Sequence, residues 1–288
     1  MKKKMFVRIL IDIIVIIFVL TIIFGIRALK PPRIPITINP GDLGLPYEKI
    51  FLKTSDGKKL SGWLILSEKS DAIIICLHGY PANKSDILPV VSFLYPDFSL
   101  LLFDFRAHGE SEGKITYFGL KEYMDVESGI KFIKENEKTK KMKIGIWGYS
   151  FGAAVGILSA TYNEIGALVS DSSFANFPEM ITHYYKNFGP LKYIFSFFSK
   201  ILGKYIIGID FTLNSPEYTI DKIKCPILII HSEEDEFVPV EHAKRLFEKA
   251  KSEKELYLVK GPHTGLDRAY TTQYQQKVKG FFKKYLTK

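Results

Sequence analysis

The sequence predicts an α/β fold in which a mostly parallel eight-stranded sheet is flanked by helices, with a small helical cap and an N-terminal transmembrane helix. Three observations lead to this prediction. Short apolar runs alternate with helical patterns from residue 47 onward, an aromatic-rich segment without strand pattern covers residues 173–215, and a long apolar run lies near the N-terminus. Continuous apolar strands separated by helices are typical of a parallel sheet covered on both faces.

The first 30 residues differ in composition from the rest of the chain. Residues 1–4 are a basic start, and residues 9–26 are nearly all Ile, Val, Leu and Phe, interrupted by Asp12 and Thr21. A helix needs about 20 mostly apolar residues to span a bilayer. A cleaved secretory signal is the competing interpretation, but its apolar core is usually about 7–15 residues, and no small-x-small site follows this run. We expect residues 1–30 to be a single-pass anchor in the cell membrane.

Basic residues flank the apolar run on both sides, which bears on the orientation of the anchor. They are Lys2, Lys3, Lys4 and Arg8 before the run and Arg27, Lys30 and Arg33 after it. Since cytoplasmic flanks carry more Lys and Arg, this small excess predicts a cytoplasmic N-terminus and an extracytoplasmic C-terminal domain.

Residues 31–46 are rich in Pro and Gly, a composition that disfavours both helix and strand, and we interpret them as a tether. A single domain is then expected from residue 47 to 288. Its net charge of +9 comes from lysines that are interspersed with glutamates, as in residues 131–143, so we expect solvated helix faces and no nucleic acid partner. Cys76 and Cys225 stand in or beside apolar runs and are expected to be free, buried thiols.

The predicted elements follow one another in a regular order. A hairpin is expected around residues 55–57, where Ser-Asp-Gly separates the first two strands. The predicted strands are residues 47–54, 59–66, 72–77, 99–103, 143–147, 167–170, 226–231 and 255–259, and the predicted helices are residues 87–95, 120–135, 151–162, 241–250 and a last one from about Arg268. Such sheets carry their reactive groups on loops at the carboxyl ends of the strands.

The cap segment is unusually aromatic. Its aromatic residues are Phe174, Phe177, Tyr184, Tyr185, Phe188, Tyr193, Phe195, Phe197, Phe198, Tyr205 and Phe211. Most of them are expected to pack within the cap, and the remainder to line an apolar substrate pocket.

Residues 148–152 read Gly-Tyr-Ser-Phe-Gly, directly after an apolar strand and directly before a helix of small residues. In a nucleophile elbow, the two glycines let a strained strand-to-helix turn pass close to its neighbours and expose the serine hydroxyl. This context predicts Ser150 as a nucleophile. The helix N-terminus at Ser150 also favours the developing oxyanion.

A serine nucleophile needs a base and an acid that orients the base. Among six histidines, His263 is the best placed, in a loop after the last predicted strand. The loop after strand 226–231 offers four acids, of which Asp235 gives the chain order Ser, Asp, His. Asp171, at the end of the strand after the elbow helix, is the alternative acid.

The oxyanion of an acyl-transfer intermediate needs backbone donors. The amide of Phe151, directly after the nucleophile, is the first candidate. The second is the amide of Tyr80, because Gly79 permits an unusual backbone after the strand at residues 72–77. His78 is interpreted as a structural residue and not as a base.

Together these motifs resemble the α/β-hydrolase superfamily, and within it the small-cap branch that includes serine aminopeptidases and monoacylglycerol lipases. The residues that carry the resemblance are His78-Gly79, residues 104–111, the elbow at Ser150, residues 171–174, Asp235 with Val238-Pro239, and Gly261-Pro262-His263. The resemblance implies acyl transfer to water without metal or cofactor. Ala107 and Ser232 depart from it, because the family usually has glycine at both positions and glycine tolerates positive φ better.

The resulting hypothesis is a serine hydrolase of carboxylic esters that works through an acyl-enzyme and favours an apolar acyl group. A small-molecule or lipid-like ester is the expected substrate, and the N-terminal helix is the expected contact with the membrane. A serine peptidase or amidase of the same fold and a catalytically silent binding protein are the two alternatives.

Overall fold

The computed structural model describes residues 2–213, 215–263 and 266–287, and it contains one eight-stranded sheet. The strands are β1 (Glu48–Lys53), β2 (Lys59–Ile65), β3 (Ala72–Leu77), β4 (Ser99–Phe103), β5 (Lys143–Tyr149), β6 (Ala167–Asp171), β7 (Ile227–Ser232) and β8 (Lys254–Val259). Their order in the sheet is β1-β2-β4-β3-β5-β6-β7-β8. β2 is antiparallel to both β1 and β4, and the neighbours from β4 through β8 are parallel. The predicted mostly parallel sheet and its N-terminal hairpin are confirmed.

Helices cover both faces of the sheet, as predicted. They are α1 (Lys2–Leu29), α2 (Lys84–Val91), α3 (Glu122–Glu135), α4 (Phe151–Ala160), α5 (Phe177–Tyr184), α6 (Lys192–Leu202), α7 (Glu241–Lys249) and α8 (Thr272–Leu286). Helix α2 begins earlier than its apolar pattern predicts. Asn83 accepts a hydrogen bond from the Ser85 amide at 2.8 Å, and its own amide donates to Asp86 at 2.8 Å, so a capping box starts the helix there.

The core consists of two layers because successive strand residues point to opposite faces. Ile73 and Ile75 of β3 pack with α3, α4 and α7 on one face, whereas Ile74 and Cys76 pack with α2 and α8 on the other. Cys76 and Cys225 are both free and buried. On the second face, the buried Trp147 donates from Nε1 to the Tyr274 hydroxyl at 3.0 Å, which joins the central strand to α8.

Helices α5 and α6, with a 3₁₀ turn at Lys186–Leu191 between them, form the cap. The expectation that its aromatic residues pack within the cap holds for the buried ones: Tyr185 and Phe195 stack with ring centroids 5.1 Å apart. A second group of aromatic residues in this segment is exposed to solvent, namely Tyr184, Phe188, Tyr193, Phe197 and Tyr205.

The Pro-rich segment at residues 31–46 lies against the domain. Arg33 donates to the carbonyl oxygens of Gly109 at 2.9 Å and Gly113 at 2.8 Å, and Asn83 donates to the carbonyl of Ile34 at 3.0 Å. Ile36, Ile38 and Leu45 pack against the core face formed with α2 and α8. The segment therefore connects α1 to the sheet through ordered contacts.

The loop after β4 is organised by a buried carboxylate. Asp104 accepts hydrogen bonds from the Lys84 amide at 2.8 Å, the Lys84 ammonium at 2.6 Å and the Glu110 amide at 2.9 Å. In this loop Ala107 has φ 65° and Gly109 has φ 43°. A Cβ at Gly109 would lie 2.3 Å from an Asp104 carboxylate oxygen, so glycine is required at this position.

We expect Gly109→Ala to lower the free energy of unfolding by about 2 kcal/mol or more, because the new Cβ collides with a buried, fully bonded carboxylate. Ala107→Gly is the matched control. It removes a positive-φ side chain at a cost in chain entropy of about 0.5–1 kcal/mol, so the two effects should nearly cancel or slightly stabilise. Urea titration of both variants measures the difference, and equal destabilisation by the two substitutions would contradict this account of the loop.

Candidate active site

Ser150 lies between β5 and α4 with φ 51° and ψ −113°, a conformation that residues other than glycine rarely adopt. The two glycines of the motif permit it. A Cβ at Gly148 would lie 2.5 Å from the Gly152 carbonyl oxygen, and a Cβ at Gly152 would lie 2.4 Å from the Leu77 carbonyl oxygen. The amide of Ser150 donates to the Asp171 carbonyl at 2.7 Å, which ties the turn to β6.

The structure brings Ser150, His263 and Asp235 into one hydrogen-bonded chain. His263 Nδ1 lies 2.6 Å from Asp235 Oδ2, and Ser150 Oγ lies 2.9 Å from His263 Nε2. Since a carboxylate can only accept, Nδ1 carries the proton and Nε2 is free to accept from the serine hydroxyl. This is the arrangement in which a histidine can remove the proton from a serine.

Asp235 is held as a buried carboxylate. Its Oδ1 accepts from the amides of Phe237 at 2.9 Å and Val238 at 2.7 Å, and the residue is 6% exposed. Burial acts to raise the pKa of Asp235, but the hydrogen bond and charge of His263, with the Val238 amide, outweigh it and lower the pKa below its ordinary value. The carboxylate therefore stays ionised beside the imidazole.

Aromatic rings enclose His263 on two sides. The ring of Tyr149 stacks on His263 at 5.6 Å, its hydroxyl donates to the His263 carbonyl, and the ring of Phe237 lies at 5.3 Å. Ser232 Oγ donates to the Gly261 carbonyl. Serine at this position therefore bonds the loop that carries Asp235 (the acid loop) to the loop that carries His263 (the base loop), a contact that the family's usual glycine lacks.

Asp171, the alternative acid, is engaged elsewhere. Its carboxylate accepts from Arg268 at 2.7 Å and from the Tyr274 hydroxyl at 2.8 Å, and Arg268 also lies over the Tyr149 ring at 5.8 Å. Sequence reasoning missed Arg268 and Tyr274. No sequence pattern marks them: Arg268 precedes the final helix α8, Tyr274 lies within it, and their role depends on contacts across about one hundred residues of sequence.

The loop after β3 lies directly against the nucleophile. A Cβ at Gly79 would lie 3.5 Å from Ser150 Cβ. His78 Nε2 accepts from the Phe105 amide at 3.0 Å, so its Nδ1 carries a proton and donates to the Gly79 carbonyl at 2.8 Å. Burial, with the charge of His108, lowers the pKa of His78 well below its ordinary value, so this ring is a neutral brace.

The amides of Tyr80 and Phe151 are the two donors expected for the oxyanion. Phe151 is the first residue of α4, where backbone amides have no acceptor within the helix. The structure positions Tyr80 through its side chain: the hydroxyl donates to the Ala28 carbonyl of α1 at 2.8 Å, and the ring packs on Phe118 at 5.5 Å. Among residues 2–213, 215–263 and 266–287, no backbone carbonyl accepts a hydrogen bond from either amide.

The other histidines have structural contacts. His231 Nε2 donates to the Val238 carbonyl at 2.7 Å, and burial lowers its pKa. His242 Nδ1 accepts from the Ala175 amide at 3.1 Å, and burial, with the nearby Arg245, lowers its pKa to about 4. His183 lies 3.1 Å from the Glu236 carbonyl and joins the cap to the acid loop.

A pocket of about 230 Å³ opens beside His263. It is lined by Lys186, Glu236, Phe237, Pro262 and His263. None of the exposed cap aromatic residues is among these lining residues, whereas Tyr193 lines a separate groove on the cap. No group of three or more His, Cys, Asp or Glu side chains that could hold a metal occurs among the residues described.

Comparison with known proteins identifies a matching family and several similar proteins. The sequence profile of the prolyl oligopeptidase family matches residues 115–288. The uncharacterized protein YqkD of Bacillus subtilis is 33% identical, with 72% of this chain and 70% of that protein covered. The esterase Pf2001 of Pyrococcus furiosus is 31% identical with a TM-score of 0.76, and the match covers 90% of this chain and 100% of the esterase.

A membrane protein of Saccharomyces cerevisiae, YNL320W, is 25% identical over 73% of this chain and 70% of its own length. The likeness to an esterase that aligns over its whole length supports a hydrolase of the α/β fold. The chain belongs to the prolyl oligopeptidase family within the α/β-hydrolase superfamily.

Proposed function

We propose that the protein is a membrane-anchored serine hydrolase that cleaves carboxylic esters through an acyl-enzyme, with a preference for apolar acyl groups. The observation that carries the proposal is the hydrogen-bonded chain from Ser150 through His263 to Asp235, with distances of 2.9 and 2.6 Å. A small-molecule or lipid-like ester is the proposed substrate.

In the first half-reaction, Ser150 Oγ attacks the ester carbonyl carbon while its proton passes to His263 Nε2. The carbonyl electron pair moves onto oxygen, where the Tyr80 and Phe151 amides stabilise it, each by about 3 kcal/mol in comparable sites. Collapse of this intermediate breaks the carbon–oxygen bond to the alcohol, which leaves with the proton from His263. The acyl group is then bonded to Ser150.

In the second half-reaction, water attacks the acyl-Ser150 carbonyl and gives its proton to His263. The carbon–Oγ bond breaks, the carboxylic acid leaves, and His263 returns the proton to Ser150. Asp235 stays ionised throughout and stabilises the imidazolium that forms in both steps. No redox or metal step is part of this cycle.

Peptide or amide cleavage is the second candidate, and the name of the matched family favours it. A peptidase that recognises a terminal amine needs acidic groups at its pocket. Among the residues that line the pocket beside His263, the negative charge of Glu236 is offset by the positive charge of Lys186. Together with the Pyrococcus furiosus esterase as a structural neighbour, this favours an ester substrate.

The anchor is proposed from helix α1. Lys3–Leu29 is long and apolar enough to cross a membrane, by length and composition. The yeast relative described as a membrane protein supports the same assignment. With the slight excess of basic residues before the apolar run, we place the catalytic domain outside the cytoplasm.

We expect Ser150→Ala to lower ester turnover by about 10³-fold or more, because the nucleophile is lost while binding groups remain. The full chain in detergent is assayed with a chain-length series of p-nitrophenyl esters and with aminoacyl anilides. Ser252→Ala, which removes a serine hydroxyl before β8 and outside the proposed site, is the control and should keep full activity.

Two outcomes would contradict the ester proposal. Anilide turnover without ester turnover would favour a peptidase. Absence of turnover on both, with no labelling of Ser150 by a fluorophosphonate, would favour a binding protein.

We expect Asp235→Asn to lower kcat by about 10³–10⁴-fold. The carboxamide oxygen can still accept from the Phe237 and Val238 amides, but its NH₂ group then faces His263 Nδ1 and favours the wrong tautomer. Glu233→Gln, an exposed neighbour in the same loop, is the matched control. A similar kcat for Asp235→Asn and for this control would rule out Asp235 as the orienting acid.

The orientation of the anchor is tested with single introduced cysteines, since both native cysteines are buried. Glu68→Cys, on an exposed turn between β2 and β3, should react with a membrane-impermeant maleimide in intact cells. Lys3→Cys should react only after permeabilisation. The reverse pattern would place the catalytic domain in the cytoplasm.

A further inference from the structure

Helix α1 has two parts with different surroundings. From Lys3 to Ile16 its side chains are exposed, whereas Ile17 and Thr21 are buried. The second part packs on the cap: Phe18 lies 5.6 Å from Phe198 of α6, and Phe24 lies 5.7 Å from Phe188. The outer part of α1, from Lys3 to Ile16, is therefore exposed, whereas the inner part, from Ile17 onward, packs on the cap.

The exposed part is too short to cross a bilayer alone. An α-helix rises about 1.5 Å per residue, so residues 5–16 reach about 18 Å, whereas the hydrocarbon core is about 30 Å thick. The apolar run between Arg8 and Arg27 reaches about 27 Å and fits the core. If α1 spans the membrane, residues 17–26 lie within hydrocarbon, and the cap side chains that pack on them lie there too.

Helix α6 has an exposed apolar face, as a helix in contact with the hydrocarbon of a bilayer requires. Tyr193, Ile194, Phe197 and Ile201 form an exposed apolar face, with Tyr193 65% and Phe197 58% exposed. Ile194 and Ile201 lie four and three residues from Phe198, so on the helix surface they are neighbours of the contact with α1. The apolar face of α6 thus continues the lipid-facing surface of α1, and in water it would be an unfavourable exposed patch.

Lysines border the other edge of this face. Lys200 lies three residues after Phe197, and a groove of about 390 Å³ beside α6 includes Lys186, Lys192 and Lys200 in its lining. An apolar helix face with Tyr and Lys at its border is typical of a helix that lies at a membrane interface with anionic headgroups. The lysines and the apolar face of α6 therefore both indicate a membrane with anionic headgroups as the partner.

The inner end of α1 is joined to the proposed oxyanion loop. The Ala28 carbonyl accepts from the Tyr80 hydroxyl at 2.8 Å, and the Leu29 carbonyl accepts from the Thr116 amide at 2.8 Å. Lys186 lines both the groove on the cap and the pocket beside His263. If α1 spans the bilayer, these contacts place the pocket near the end of the span.

We propose that the apolar face of α6 inserts into the bilayer beside α1, with Lys192 and Lys200 at the anionic headgroups, so that the active-site pocket opens at the membrane surface. This inference rests on the proposed anchor and deepens the proposed function. It assigns the substrate to esters that partition into a bilayer.

The test uses the full chain reconstituted into vesicles of phosphatidylcholine and phosphatidylglycerol. Phe197→Cys is labelled with a nitrobenzoxadiazole fluorophore, and the buried native cysteines leave this label unique. Its emission should shift to shorter wavelength, and nitroxides on the lipid acyl chains should quench most of it. Tyr162→Cys, an exposed site at the end of α4 remote from the cap, should be quenched by aqueous iodide instead.

A third label at Ile16→Cys separates the two proposals, since this residue lies on the exposed part of α1. Quenching by lipid nitroxides at position 16 but not at position 197 would overturn cap insertion and leave the anchor intact. Absence of quenching at position 16 would overturn the anchor itself. Protection of position 197 from both quenchers would indicate a protein partner on α6 and would also overturn the proposal.

Discussion

The backbone of Ser150 is the constraint on which the rest of the site depends. A non-glycine residue at φ 51° costs free energy that the surrounding structure has to supply. β5 and β6 hold the turn from one side through the bond from the Ser150 amide to the Asp171 carbonyl. On the other side, Gly152 lies so close to the end of β3 that no side chain fits between them. The serine is thus fixed by the packing of three strands and one helix.

Buried carboxylates then organise the loops at the carboxyl edge of the sheet. Asp104 binds Lys84, Asp171 binds Arg268, and Asp235 binds His263 and two amides of its own loop. Because an unpaired charge in such a position is strongly destabilising, each of these carboxylates specifies one loop conformation. Only Asp235 directs its second oxygen to a group that contacts Ser150. All three residues are aspartates, and the partners of each carboxylate give them different roles.

The sheet, its covering helices and the elbow were predictable because they depend on local periodicity and on glycines at fixed spacing. The contacts of Asp171 with Arg268 and Tyr274 were not, since they join positions about one hundred residues apart without a pattern. The exposure of Tyr193 and Phe197 on α6 was not predicted either, since the cap aromatic residues were expected to pack within the cap or to line a pocket. Composition alone does not distinguish residues that line a pocket from residues on an exposed surface. The structure does, because it gives the exposure of each side chain and the contact of α1 with α6.

Helix α1 contacts both the cap and the loop that carries Tyr80. Its last turn contributes Leu29 to the apolar cluster that also contains Phe177 of the cap and Val238 of the acid loop. The carbonyl of Ala28 fixes the Tyr80 side chain, and Tyr80 carries one of the two amides assigned to the oxyanion. Removal of α1 would therefore expose the apolar side chains of the cap that pack on it and remove the hydrogen-bond acceptor of the Tyr80 hydroxyl. The position of α1 and the geometry of the candidate site are therefore coupled, because Tyr80 contacts α1 through its side chain and lies directly beside Ser150 through Gly79.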